Sequence, residues 1–466
     1  MNNNIIKRFL NTSFVYFVGN VSTKLISFFL IPVYTTYLNP AEFGEYDLII
    51  SIINLVVPLV FFQIWDGVFR FAFDDDSILQ KKTVLDNGLV IMWLGIVILT
   101  VTYLLLAIFY PSFFNVWVIL YGMLFAFQYY YTVVTRIHLD NKLFSITGVV
   151  NTFIAAVFNI ILIKYYHLGV DSLYISACLG ILVQIVIIEM KMKPLLSFSR
   201  SLVNINLIKN MILFSLPLCI STVSYWMLNG YTKIMITNIL GTYENGLYAI
   251  TNKFTSLILL VVSVFQFAWN EMVYLLSKDD NQNKIYEKGI CMIFKITLIS
   301  AAFFIFVSRL IFPFFVNAQY SGSISILPVS MVAVAANSFA SFTGTLFLAN
   351  KKSSALLSTT ILAVTTNVIL TNTFIYYFKL TGALIALSLA MIILVLSRLY
   401  MLKKQYDIIL SNTCYYSLLF FAFSIISFYF IDDKMVFLLL IIQFLIGIIL
   451  MYKDIKEILI KMKEKR

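Results

Sequence analysis

Fourteen apolar runs, each long enough to cross a lipid bilayer, follow one another along this chain of 466 residues. A membrane-spanning helix needs about 20 predominantly apolar residues. The runs lie at about 9–37, 46–72, 83–110, 115–137, 143–165, 172–190, 208–239, 246–275, 288–315, 324–348, 354–377, 381–400, 412–431 and 435–452. Since 61% of the residues are hydrophobic and 12% are charged, one soluble core could not bury this apolar surface. The sequence predicts an all-α polytopic membrane protein with about fourteen transmembrane helices.

The first run is interpreted as a retained helix. It is too long for a secretory signal, carries Lys24 and lacks a small-residue cleavage site. The four cysteines lie inside apolar runs at unrelated spacings, so they predict packing roles and neither a disulfide framework nor a zinc site.

Basic residues are distributed unequally between the two sides of the membrane. If the N-terminus is cytoplasmic, nearly all loop and tail Lys and Arg lie inside, and the outer side holds Lys164, Arg309, Lys379 and Lys434. The positive-inside rule then places both termini in the cytoplasm. The inner loops lie against anionic membrane lipids, which accounts for the net charge of +11 without a nucleic-acid partner.

The chain also contains an internal repeat. Gly44 and Tyr46 match Gly246 and Tyr248 at an offset of 202 residues, and each pair introduces a long span. Because six spans recur as six, both copies have the same orientation, which predicts a pseudo-twofold axis along the membrane normal and a cleft between two lobes. The predicted parts are an N-terminal six-helix lobe at 1–200, a C-terminal six-helix lobe at 201–405, and two additional helices with a basic cytoplasmic tail at 406–466.

Four lysines lie inside the predicted spans, and we expect no carboxylate to neutralise them at mid-membrane depth: Lys24, Lys233, Lys253 and Lys295. A charge within the membrane is costly and usually marks a functional path. Because all four are positive, they favour an anionic cargo. Lys253 and Lys295 lie nearer the ends of their spans, so they are supporting candidates.

The first span carries a polar stripe at helical steps, which consists of Ser13, Asn20, Lys24, Ser27 and Tyr34. Applying the 202-residue offset aligns Trp226 with Lys24 and places Lys233 on the corresponding face of span 7. Facing each other across a cleft, the two stripes would form a basic, aromatic-lined cavity suited to a phosphate group with attached sugars.

Other polar residues and prolines have two interpretations each. Asp66 and Arg70 are four residues apart, so an ion pair could serve as a gate or as a structural bridge. Arg136 could be a cytoplasmic docking point for the cargo or a snorkelling topology charge. Pro32 and Pro217 could act as hinges or as static kinks.

Residues 40–46, residues 66–71 and the paired segments 159–169 and 367–382, each with Asn-x-x-Leu followed by Gly, resemble bacterial polysaccharide transporters. More narrowly, they resemble the O-antigen-unit flippases of the multidrug/oligosaccharidyl-lipid/polysaccharide exporter superfamily. The resemblance implies a two-lobed core of twelve helices plus two more. It also implies that undecaprenyl-pyrophosphate-linked oligosaccharide moves to the outer leaflet of the bacterial inner membrane by alternating access. The resemblance leaves open whether a proton or a sodium ion couples to transport. It also leaves open whether other polysaccharide-assembly membrane proteins are partners.

A cation-coupled multidrug antiporter of the same superfamily is the main alternative. It would be expected to place carboxylates within the lobes. Here Asp66, Glu189 and Glu271 are expected near cytoplasmic ends, and the mid-span position is taken by Lys24.

Two further classes are less consistent with the sequence. A membrane glycan polymerase or glycosyltransferase needs a catalytic constellation, and neither His138 nor His167 has a matching acid or metal-ligand set. A structural scaffold leaves the lysines unexplained. We therefore expect a flippase that is not an enzyme, needs no cofactor, and binds its anionic headgroup through Lys24 and Lys233, with Lys253, Arg136 and Arg70 in support.

Overall fold

The computed structural model describes Gly19 and residues 21–75, 77–109, 115–276, 282–350 and 352–464. Within these ranges the chain is almost wholly helical and contains no strand, which confirms the all-α polytopic fold class. The helices are α1 (residues 21–29), α2 (Ile31–Tyr37), α3 (Pro40–Val60), α4 (Ile64–Phe71), α5 (Ile78–Phe109), α6 (Val116–Ile137), α7 (Asn141–Lys164), α8 (Asp171–Met192), α9 (Ile205–Leu240), α10 (Thr242–Thr255), α11 (Ile258–Leu276), α12 (Gln282–Phe315), α13 (Gly322–Ser325), α14 (Leu327–Ala349), α15 (Ser353–Tyr406), α16 (Asn412–Phe430) and α17 (Val436–Glu464).

The predicted spans fall on these helices. Among the described helices, ten are long and apolar enough to cross a membrane, and the bent pair α10–α11 makes an eleventh. Helix α15 covers two predicted spans because Lys379, at φ 50° and ψ −133°, breaks it. The first predicted span corresponds to α1 and α2, apart from its start, which lies outside the described residues. The last corresponds to the apolar segment Val436–Tyr452 of α17.

The chain divides into two compact units. Unit 1 contains the residues up to Leu38 together with Glu45–Trp226, and unit 2 contains Asn39–Gly44 together with Met227–Arg466. The division falls inside α9. The lobes at 1–200 and 201–405 and the third part at 406–466 were inferred from the sequence repeat, and they stay a prediction.

Unit 1 is built on two packed groups of helices. Helix α8 lies along α7 and also packs against α6, while α4, α5 and α6 pack against one another. Val68 of α4 and Met92 of α5 are fully buried in the second group. A Cβ atom at Gly88 would lie 2.5 Å from Val68 Cγ2, so a small residue is needed where α5 approaches α4.

Unit 2 is built around α12 and α14. Helix α14 packs along α15, and α12 contacts α11, α14, α16 and α17. Arg309 of α12 donates from Nη2 to the Ile431 carbonyl at 2.8 Å, and its guanidinium lies 5.0 Å from the centre of the Phe428 ring. A cation here satisfies carbonyls at the C-terminal end of α16, where the helix dipole is negative.

The repeated asparagines of the 159–169 and 367–382 segments both hold helices together. Asn159 Nδ2 donates to Ser176 Oγ at 3.1 Å, and Asn367 Nδ2 donates to the Leu228 carbonyl at 2.8 Å. Buried amides that bond across helices stabilise packing where lipid offers no hydrogen-bond partner. The second part of the repeat therefore has a structural role in each unit.

The repeated glycines meet at one helix crossing inside unit 2. A Cβ atom at Gly44 would overlap the Thr242 carbonyl oxygen, and a Cβ atom at Gly246 would overlap the Pro40 carbonyl oxygen. Asn245 Nδ2 also donates to the Gly44 carbonyl at 2.7 Å. The first turn of α3 thus crosses the first turns of α10 with backbone against backbone.

Candidate substrate-binding residues

Lys24 projects from α1 and is half-buried. No hydrogen bond or ion pair joins its amino group to another residue in the described part of the chain. An ammonium group in this position is costly unless something of opposite charge approaches it. Asn20, predicted for the same stripe, lies outside the described residues.

Lys233 lies on α9, in unit 2, and is half-buried. The neighbouring Thr232 is buried and accepts a 3.1 Å hydrogen bond from Asn367 Nδ2 of α15. Tyr231 OH accepts from Asn372 Nδ2 at 2.5 Å. These bonds fix the turn of α9 that carries Lys233.

Lys253 is half-buried near the end of α10, where the chain bends by 48° into α11. Its carbonyl accepts a 2.7 Å hydrogen bond from Ser256 Oγ at this bend. Because a bend leaves helix carbonyls without their usual partners, the hydroxyl satisfies one of them. Lys253 therefore lies beside a break in a predicted span.

Lys295 is 4% exposed and forms an ion pair with Asp454 of α17. The expectation that no carboxylate faces the buried lysines is therefore wrong for this residue. A buried ammonium requires a partner, and here the C-terminal helix supplies it. The pair links α12 to α17, both in unit 2.

The α3–α4 junction organises polar groups in unit 1. Phe62 and Gln63 both have positive φ, at 53° and 46°, so α3 and α4 are separated by a sharp break. Gln63 Oε1 accepts from Thr222 Oγ1 at 2.7 Å, and Gln63 Nε2 donates to Asp66 Oδ2 at 2.6 Å. Sequence reasoning missed Gln63. Pro58 lies inside α3, five residues before Gln63.

Asp66 and Arg70 both lie on α4 but have different partners from those expected. Arg70 forms an exposed ion pair with Asp74, whereas Asp66 is bound by Gln63. The i,i+4 spacing allows Arg70 to pair in either direction along the chain. The Asp74 pair lies at the exposed end, where the two charges lose less hydration than they would beside the half-buried Asp66.

Arg136 of α6 comes close to this group. Its exposed guanidinium lies 4.4 Å from the centre of the Phe69 ring, and it interacts electrostatically with Asp66. Trp65 stacks on Tyr129 at 4.7 Å between ring centres, which holds α4 against α6. The structure therefore brings Arg136 and Asp66 together and keeps Arg70 at the helix end.

The structure places Trp226 at a contact between helices and the two predicted hinge prolines inside helices. The Trp226 indole nitrogen donates to the Ser51 carbonyl at 2.6 Å, so its N–H holds α9 to α3 in unit 1. Pro32 lies in the first turn of α2, two residues after Leu30, where α1 meets α2. Pro217 lies inside the continuous helix α9.

Arg398 is a buried cation that the sequence did not reveal. It lies near the end of the predicted span at 381–400, and its side chain is 1% exposed. It donates from Nη2 to Thr360 Oγ1 at 3.2 Å and from Nη1 to the Ala340 carbonyl. Gly344 leaves room for it, since a Cβ atom there would lie 3.1 Å from Arg398 Nη1.

In the described part of the chain, no group of three or more His, Cys, Asp or Glu could hold a metal ion.

Several solved membrane proteins share this fold. A lipid II flippase MurJ in an inward closed conformation superposes with a TM-score of 0.68 at 16% identity, over 97% of this chain and 100% of that one. An inward-facing multidrug resistance MATE transporter of the MOP superfamily gives 0.64 at 16% identity, over 83% and 95%. A MOP superfamily transporter from Pyrococcus furiosus gives 0.58 at 18% identity, over 84% and 94%.

The sequence itself identifies the family. Residues 9–269 match the polysaccharide biosynthesis protein family, so the chain belongs to it. The sequence has no match among curated proteins. The family match confirms the resemblance to bacterial polysaccharide transporters that was drawn from residues 40–46 and 66–71.

Proposed function

We propose that this protein is a flippase that moves undecaprenyl-pyrophosphate-linked oligosaccharide repeat units, of O-antigen or capsule type, from the inner to the outer leaflet of a bacterial cytoplasmic membrane. Both termini lie in the cytoplasm. The observation that carries the proposal is Lys24, a half-buried cation in α1 with no partner among the described residues. Its desolvation cost is offset when an anionic headgroup binds.

The other half-buried lysines support an anionic cargo. Lys233 and Lys253 lie on α9 and α10. A lysine binds phosphate as a compact charge without fixed bidentate geometry, which suits a site that must release its cargo. Lys24 and Lys233 bind the diphosphate, Lys253 assists, and Lys295 acts through its pair with Asp454.

Three further side chains support binding of the cargo: Arg136, Arg70 and Trp226. Arg136 and Arg70 are both exposed and lie on α6 and α4, so they first attract the diphosphate from the cytoplasm. The Trp226 ring packs against a sugar of the cargo, while its N–H stays hydrogen-bonded to the Ser51 carbonyl. Movement by alternating access bends the chain near Pro32 and Pro217.

Replacement of Lys24 in living cells tests the proposal. Lys24→Ala at normal protein level should lower surface glycan about tenfold, since one charge-assisted hydrogen bond is worth about 1.5–3 kcal/mol. Lys24→Arg should retain part of the activity, and Lys142→Ala, at an exposed lysine of α7, should retain all of it. Undiminished surface glycan in Lys24→Ala would overturn the assignment. Export of organic cations that persists in that variant would favour the cation-coupled antiporter.

A further inference from the structure

Unit 1 contains a cavity of about 610 Å³ between α3, α5, α6 and the start of α8. Ile49, Ile53, Val57 and Leu99 contribute to its apolar wall. Small-molecule sites have volumes of about 300–1,000 Å³, so the cavity is large enough to hold a ligand. Its lining includes none of the residues proposed above for the transported substrate.

Exposed apolar side chains border one side of this cavity. Ile52 of α3 and Leu106 of α5 both line it, and both side chains are exposed. Apolar side chains on the outside of membrane-spanning helices lie in hydrocarbon. A hydrocarbon chain can therefore enter from the bilayer without crossing a polar barrier.

One end of the cavity is polar and acidic. Glu45 and Asp171 both line it, and Asn115 Nδ2 donates to Asp171 Oδ1 at 2.7 Å. Tyr103 OH holds the Asn115 backbone in place, with 2.9 Å to both its nitrogen and its carbonyl oxygen. The two carboxylates repel an anionic headgroup and attract a cation.

Tyr174 supplies the second observation. Its side chain is 1% exposed and lines the cavity, yet its hydroxyl has no hydrogen-bond partner in the described structure. A buried hydroxyl without a partner costs free energy, and such groups in native proteins call for a ligand or a bound water. The hydroxyl belongs to the same lining as Glu45 and Asp171.

We infer that this cavity binds one acyl chain of a membrane phospholipid whose headgroup carries a primary ammonium. The chain lies along the apolar wall, and the ammonium pairs with Glu45 and Asp171 at the polar end. A primary ammonium has three donors, so it can bond to both carboxylates and to the Tyr174 hydroxyl, whereas a quaternary ammonium has none. This lipid site is independent of the transport function proposed above.

Lipid retention by the purified full-length protein tests the inference. Protein exchanged into dioleoyl phosphatidylethanolamine, phosphatidylcholine or phosphatidylglycerol is examined by native mass spectrometry. Wild type should retain phosphatidylethanolamine about tenfold better than the other two. Combining Glu45→Gln with Asp171→Asn should abolish this preference, and Tyr174→Phe should weaken it. Equal retention of all three lipids by wild type, or a preference for phosphatidylglycerol, would overturn the inference.

Filling the cavity tests where the chain lies. A Cβ atom at Gly122 would meet Leu99 Cδ2 at 3.5 Å, an ordinary contact, so there is room for a side chain to start there and Gly122→Leu should extend into the cavity. It should reduce retention of every lipid, whereas Gly148→Leu, at a site with nothing within 4 Å, should not. Asp432→Asn, which removes a carboxylate from an exposed residue outside the cavity, should leave the preference for phosphatidylethanolamine unchanged. Retention in Gly122→Leu equal to that in Gly148→Leu would place the chain elsewhere.

Discussion

Substitution of Gly44 by alanine tests the crossing of α3 and α10. The added Cβ atom would overlap the Thr242 carbonyl oxygen and lie 2.6 Å from the Gly246 backbone nitrogen. Non-bonded heavy atoms prefer about 3.5–4.0 Å, so the two helices must separate by about 1.5 Å. Neither obstructing atom belongs to a flexible side chain, so the backbone itself has to move.

The expected loss of stability is about 2 kcal/mol. Overpacking costs about 1–3 kcal/mol, and loss of the hydrogen bond from Asn245 to Gly44 adds about 1 kcal/mol. Replacing a helical glycine by alanine returns about 1 kcal/mol. Since 1 kcal/mol shifts the melting temperature of a domain of this size by about 2–4 °C, the apparent Tm in detergent should fall by about 4–8 °C.

Two comparisons make this prediction refutable. Gly148→Ala, where nothing lies within 4 Å, should leave the apparent Tm unchanged or raised. Gly246→Ala should resemble Gly44→Ala, and the double variant should lose less than the sum of both, because one separation relieves both overlaps. A Gly44→Ala protein as stable as Gly148→Ala, or strictly additive losses, would refute the reasoning.

Three further outcomes are expected from ion pairs and from one helix break. Asp454→Asn should destabilise by about 3–5 kcal/mol because Lys295 stays buried without its carboxylate, and the apparent Tm should recover when Lys295→Met is added to it. The hydrogen bond from Lys191 holds the pKa of Asp140 below its usual value, so its stabilising effect is complete above the unfolded pKa of about 3.9 and is lost as the pH falls through the lower folded value. The Tm difference between wild type and Asp140→Asn should therefore be full at neutral pH and vanish in acid. Gln63→Ala should reduce transport by loosening α4 from α9, whereas Gln63→Asn, which keeps an amide and adopts positive φ more readily, should retain more activity.

The helices were predictable because their cause is local. A bilayer demands apolar runs of a certain length, and those runs are visible without any tertiary contact. The repeat also pointed to Gly44 and Gly246 as matched positions, although it did not show that they meet. Breaks such as Gln63 were not predictable, since a glutamine at positive φ is held by its tertiary contacts rather than by its own preference.

The partners of charged residues were beyond sequence reasoning. Lys295 and Asp454 are 159 positions apart, and Asp454 looks like part of a solvated basic tail until α17 packs on α12. The burial of Arg398 depends on the space that Gly344 leaves on another helix, which the sequence does not show. Arg70 has a carboxylate four residues away in each direction, Asp66 and Asp74. It pairs with Asp74, at the exposed end of the helix, and the sequence does not show this exposure.

Translocation in reconstituted vesicles tests the central claim most directly. A polyprenyl-pyrophosphate-linked oligosaccharide with a label on its glycan is placed in one leaflet, and its arrival in the other is followed with a membrane-impermeant quencher. Wild type and Lys142→Ala should move it at the same rate, and Lys24→Ala should move it about tenfold more slowly. Translocation by Lys24→Ala at the wild-type rate, or none by wild type above protein-free vesicles, would contradict the account.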